Sequence, residues 1–60
     1  MDNGVEIQAQ DITGNWRTYH ITNNTNSQIV LAEMRSLKSG YPDLRVRAVD
    51  RGGRLIDLLE

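Results

Sequence analysis

Few side chains in this 60-residue chain could do chemistry. There is one histidine, His20, and no cysteine, so no thiolate nucleophile and no His-x-x-x-His metal pair can be assembled. Asp50 and Asp57 could be imagined as paired carboxylates. Asp50, however, borders the glycines of residues 51–53, and Asp57 falls opposite Arg47 in the register derived below, so a turn and a cross-strand ion pair account for both. Arg51-Gly52-Gly53-Arg54 offers amides and cations to an anion, but a hairpin loop needs such glycines anyway. What remains is Trp16, the only tryptophan, with Arg17, Arg45 and Arg47. Indole and guanidinium groups bind through large contact area and directional hydrogen bonds. The chemistry expected is recognition by a non-enzyme, with no cofactor and no metal.

Those residues must be carried by strands. Val5, Ile7 and Ala9 alternate with Glu6, Gln8 and Gln10 at the period of a half-buried strand, and residues 16–22 are rich in aromatic and β-branched types. Residues opposite one another share a face, which tests the loop between them. A two-residue loop at Gly14-Asn15 would set Ile7 against Thr22 and Ala9 against His20. A three-residue loop, Thr13-Gly14-Asn15, pairs Ala9 with Tyr19 and Ile7 with Ile21 and puts Asn15 in the left-handed position, so it is preferred.

Thr25-Asn26-Ser27-Gln28 reads as a capping box that opens a helix, with Ile29, Val30, Met34 and Leu37 in one stripe and Leu31 outside it. Gly40, as a left-handed stop before Tyr41-Pro42, is expected to end the helix near Ser39. Residues 44–50 and 54–59 form the second hairpin. A three-residue loop, 51–53, pairs Ala48 with Ile56, Val46 with Leu58 and Arg47 with Asp57, giving an apolar inner face and an ion pair outside. The last strand is apolar on both faces, which suggests an interior or covered position.

The expected fold is α+β in ββαββ order: a four-stranded, mostly antiparallel sheet with one helix on one face, a single domain over 1–60 with residues 1–3 frayed. Its core would be Val5, Ile7, Tyr19, Ile21, Ile29, Val30, Met34, Leu37, Leu44, Val46, Ile56 and Leu58. One helix covers one side of the sheet, so Ile12, Trp16, His20, Arg45, Arg47, Val49, Leu55, Asp57 and Leu59 are expected on the open side, as a partner surface.

With 38% hydrophobic and 25% charged residues the chain lies outside the disordered and membrane classes. It has no apolar run long enough to span a bilayer and no signal-peptide pattern at its start, so a cytoplasmic location is expected. Seven Lys or Arg against eight Asp or Glu leave a net charge of −1, so no global field draws it to nucleic acid or a membrane. The expected partner is a protein: a second copy in a homodimer, or a bacterial host protein. The alternative is single-stranded nucleic acid, stacked on Trp16 with its phosphates on the arginines.

Gly14-Asn15-Trp16-Arg17, the run Arg45-Val46-Arg47-Ala48-Val49-Asp50 and Gly53-Arg54-Leu55-Ile56-Asp57 resemble short uncharacterised proteins encoded by tailed bacteriophages, over most of the chain. The resemblance implies a phage product in a bacterial cytoplasm that binds a host protein or assembles with other phage components. It brings no catalytic residue or cofactor to carry over.

Overall fold

A computed structural model describes residues 4–23 and 26–59 of the chain. Five elements follow in order: β1 (Val5–Gln10), β2 (Trp16–Thr22), α1 (Ser27–Gly40), β3 (Val46–Asp50) and β4 (Leu55–Leu59). The strands form one antiparallel sheet in the order β2-β1-β3-β4, with the helix packed over β1, β3 and β4. This is the expected ββαββ architecture. Each hairpin contributes one central and one edge strand, so β4 is neither interior nor covered on its outer face, the two positions its composition suggested: it lies at an edge with Leu55 exposed.

The first loop has three residues but sits one position earlier than expected. Asp11 N–H donates to Asn15 O at 2.8 Å and Gly14 N–H to Asp11 O at 3.0 Å, which makes residues 12–14 the loop. Gly14, not Asn15, takes the left-handed conformation, at φ +88°. Glycine pays no Cβ penalty there. Asp11 is the second cause, because its Oδ1 accepts the amides of Thr13 and Asn15 at 2.9 and 3.0 Å and pins the turn to its own position.

The register is therefore Gln10↔Trp16, Ala9↔Arg17 and Gln8↔Thr18, and a bulge then changes it to Ile7↔His20 and Glu6↔Ile21. Moving the loop one place shifts pairing by two residues and leaves Trp16 on the open face. The bulge takes back one of the two, so the pairing beyond it is one residue from the expected one and every side chain there changes face. Ile21 lands on the open side and His20 on the helix side, the reverse of expectation.

The second loop is residues 51–53 as expected, with Gly53 at φ +84° and Asp50 repeating the part of Asp11: its Oδ1 accepts from Gly52 and Arg54, each at 2.9 Å. Here too a bulge follows, between Val49↔Leu55 and Ala48↔Asp57. It moves Asp57 and Leu59 to the helix side and Leu58, opposite Arg47, to the open side. The expected Arg47–Asp57 pair is not formed.

Asp11 makes the first turn sensitive to acid. The Thr13 hydroxyl holds its carboxyl below the ordinary 3.8, with the amides of Asn15 and Thr13 and the Arg17 guanidinium adding to this against a desolvation that raises it. A depressed folded value means that the contribution is present above the unfolded value and disappears as pH falls through the folded one. The thermal midpoint is expected to fall on acidification below about pH 4, and Asp11→Ala to flatten that limb in melts followed by circular dichroism.

The helix is capped by Asn26, whose side chain accepts from Gln28 N–H at 2.9 Å. Thr25, the expected cap, lies outside the described residues. Gly40 stays within the helix. The stop comes at Tyr41 (φ −136°), whose N–H is shared between Leu37 O and Lys38 O, because Pro42 disfavours a helical residue before it. Lys38 Nζ donates to Leu44 O and ties the end of the helix to the approach of β3.

Val5, Ile7, Ala9, Val30, Met34, Val46 and Ala48 form the buried cluster, with Leu37, Leu44 and Leu59 against it. Tyr19, Ile21, Ile29 and Ile56, expected in the core, are 43–52% exposed. Ile21 is turned to the open face by the β2 bulge, while Tyr19 and Ile56 are the unpaired extra residues of the two bulges, on edge strands. Ile29 lies about 100° round the helix from Val30, on its flank. Leu31 lies on the opposite flank, half-buried.

Candidate protein-binding surface

The open face follows from the registers as three rows running from β2 to β4. They are Ile21–Glu6–Val49–Leu55, then Thr18–Gln8–Arg47–Leu58, then Trp16–Gln10–Arg45. The middle row sits midway between the two hairpins, and a polar ladder is built on it. Thr18 Oγ1 donates to Glu6 Oε1 at 2.8 Å and accepts from Gln8 Nε2 at 3.0 Å, while Gln8 Oε1 accepts from Arg47 Nε at 2.7 Å.

Held by Gln8, the Arg47 guanidinium reaches across β1 and lies 4.2 Å from the centroid of the Trp16 ring. Residues two strands apart are separated by about 9–10 Å, so the contact needs both long side chains laid flat on the sheet. A guanidinium over an indole is an attractive cation–π arrangement. Trp16 is thus half-buried under a cation of its own chain. The pair is assembled within the chain itself, with no partner needed to bring it together.

The other expected surface residues divide. Arg45 and Leu55 are exposed on the open face, and Val49 lies on that face but is only 4% exposed, between Glu6 and Leu55. Ile12 is at the loop tip, 96% exposed and off the face. His20 belongs to the other side, where its Nε2 lies 3.3 Å from Glu33 Oε2 on the helix. Asp57 and Leu59 are also on the helix side, Asp57 accepting from its neighbour's amide and Leu59 packing on the core.

Sequence reasoning missed the polar ladder of Glu6, Gln8 and Thr18. Their alternation with Val5, Ile7 and Ala9 was visible, but their bonds depend on which strand lies beside which. It also missed Ile21 and Leu58 as open-face residues, since nothing in a single sequence marks the bulges. Among the described residues no three His, Asp or Glu side chains converge to hold a metal ion, and no helix is long and apolar enough to cross a membrane. Comparison with protein-family models, with curated proteins and with solved structures gives no match.

Proposed function

We propose that this chain is a small non-enzymatic protein-binding module that docks on a protein partner through the open sheet face around Trp16 and Arg47. The observation that carries this reading is the Arg47–Trp16 stack, held by Gln8 on a face that no element among the described residues covers. Order already present in the free protein is order that binding does not have to supply. Tryptophan and arginine are also the residues most enriched where interfaces concentrate their energy. Ile21, Leu55 and Leu58 extend the surface with apolar area at its other end. Likeness to tailed-phage proteins supports a bacterial cytoplasmic setting, with a host or phage protein as the partner.

The same stack argues against nucleic acid. A base would have to displace Arg47 from the ring face, and the chain's net charge is −1.

The test is quantitative cross-linked capture from bacterial lysate with wild type and a Trp16→Ala, Arg47→Ala double variant, both checked for an unchanged far-UV spectrum. Specific partners are expected to fall by about tenfold or more with the variant, the scale of losing a pair of anchor residues. Identical captures with both baits would sink the reading. A labelled oligonucleotide held by the wild type, and released steeply by salt, would transfer the face to nucleic acid.

A further inference from the structure

The two edges of the sheet are not equivalent. Gln10 N–H donates to Arg45 O at 2.9 Å, so Gln10 directs its backbone at β3. By the alternation of an antiparallel ladder, Ala9 and Ile7 face β2 and Gln8 faces β3 again. Thr18, opposite Gln8, therefore turns its own N–H and C=O outward. On the far edge Leu58 turns outward in the same way, but there Asp57 Oδ1 accepts the Leu58 amide at 2.8 Å. Both edge strands carry a bulge, so the difference lies in the amide: a side chain that occupies an outward amide protects an edge from further pairing. Among the described residues nothing takes the Thr18 amide.

Beside that open edge lies a cleft. The β2 bulge directs Tyr19 and His20 to the helix side of a strand that the helix leaves largely uncovered. With Glu33, Leu37, Gly40 and Tyr41 they border a cavity of about 340 Å³. The Tyr19 and Tyr41 rings are 5.4 Å apart and tilted by 50°, and Glu33 is the one acid in the lining. Gly40 is required neither by its backbone, which is not at positive φ, nor by crowding, since a Cβ there would meet nothing within 4 Å. Its missing side chain leaves the cleft open. Two aromatic rings and a carboxylate make a receptor for a cation.

We propose that the cation is Arg17 of a second copy, delivered by antiparallel β2–β2 pairing about a two-fold axis at Thr18. Pairing Thr18 with its counterpart uses the outward N–H and C=O of both copies and sets Arg17 opposite Tyr19 of the second copy, twice by symmetry. Arg17 is on the helix side, across from Ala9, with its side chain 70% exposed and, among the described residues, a 3.8 Å approach to Asp11 to hold it. A surface pair that loose is readily given up. On the open side Trp16 comes towards Ile21 of the second copy. The contact covers Tyr19, Ile21 and Tyr41, all large apolar side chains that one copy leaves wet. It joins the two sheets with both Trp16–Arg47 stacks on the same side, still accessible, so it stands or falls separately from the docking role of that face.

Sedimentation equilibrium of the full chain should show monomer and dimer exchanging at concentrations up to about 1 mM. Arg17→Glu, which places a carboxylate against Glu33 of the second copy, should weaken the dimer by about tenfold or more, and the swap Arg17→Glu with Glu33→Arg should restore it. A second measurement is geometric. The chain has no cysteine, and a narrow antiparallel pair holds its Cα atoms about 5.5 Å apart, within disulfide range. Thr18→Cys should therefore oxidise quickly to a covalent dimer, whereas Ser39→Cys on the helix should not. The proposal is overturned by a chain that stays monomeric, by a dimer indifferent to Arg17→Glu, by a swap that does not rescue, or by equal cross-linking at the two positions. Basic peptides that bind a monomeric chain through Glu33 would give the cleft to a different extended partner.

Discussion

Ile7→Ala is expected to leave the chain largely unfolded at room temperature. Ile7 is fully buried in a central strand, beneath the helix and in one cluster with Met34 and Val46. Truncating a buried isoleucine or methionine to alanine costs about 2–5 kcal/mol, the upper part where the cavity cannot collapse. Collapse is hard at this site, because hydrogen-bonded strands flank Ile7 on both sides and cannot close around a void. A 60-residue domain has only about 3–9 kcal/mol of stability in total, so the loss takes most of it. Urea unfolding followed by circular dichroism is the measurement. Ile21→Ala, on the exposed side of an edge strand, should shift the midpoint far less. Equal shifts for the two variants would mean that the core is not where the register places it.

The second large effect is one of opposite sign at glycines in different backbones. Gly53→Ala should destabilise by about 1–2 kcal/mol, the cost of forcing a side chain into the left-handed region, and Gly14→Ala by a similar amount. Crowding is not the reason, because a Cβ at Gly53 meets nothing within 4 Å and at Gly14 only the flexible Gln10 Nε2 at 3.9 Å. Gly40→Ala should instead stabilise by up to about 1 kcal/mol, since it replaces the more flexible residue in a helical conformation with free space for a methyl group. Thermal melts of the three variants decide the matter. A Gly53→Ala chain as stable as wild type would show that the second loop is not closed by a left-handed residue.

Acid sensitivity at Asp11 and the glycine effects have a common origin in how the hairpins close. Each loop follows an aspartate that accepts two amides and ends with a glycine at positive φ. The element order, the three-residue length of both loops and the stripe of Val30, Met34 and Leu37 could all be read from residue types, because local periodicity and turn chemistry are properties of neighbouring residues. Residue types place the first loop one position late, because Asn15 tolerates the left-handed conformation as Gly14 does, and it is the Asp11 carboxylate that settles the turn on residues 12–14.

The candidate surface was legible only in part. Trp16 is on the open face because parity survives a loop shifted by one at each end, and Arg45, Arg47, Val49 and Leu55 are there because the second loop lies where expected and none of them is beyond its bulge. His20, Asp57 and Leu59 are not, because each lies beyond a bulge, and one extra residue reverses the face of everything after it. A bulge has no signature in a single sequence. Both bulges lie on edge strands, and which strands are edges depends on pairings distant in the chain.

By itself, then, the sequence determined which segments become strands and helix, how the chain turns between them, and that its only tryptophan and two of its arginines share one face. Only the tertiary structure decided that β1 and β3 lie side by side at the centre. Gln8 thereby comes within reach of Arg47, Arg47 is laid over Trp16, and the bulged strands are left at the edges. Such pairings, Gln8 and Arg47 being 39 positions apart, are selected by the burial of the whole cluster around Ile7 and Met34, a collective quantity that no local pattern encodes.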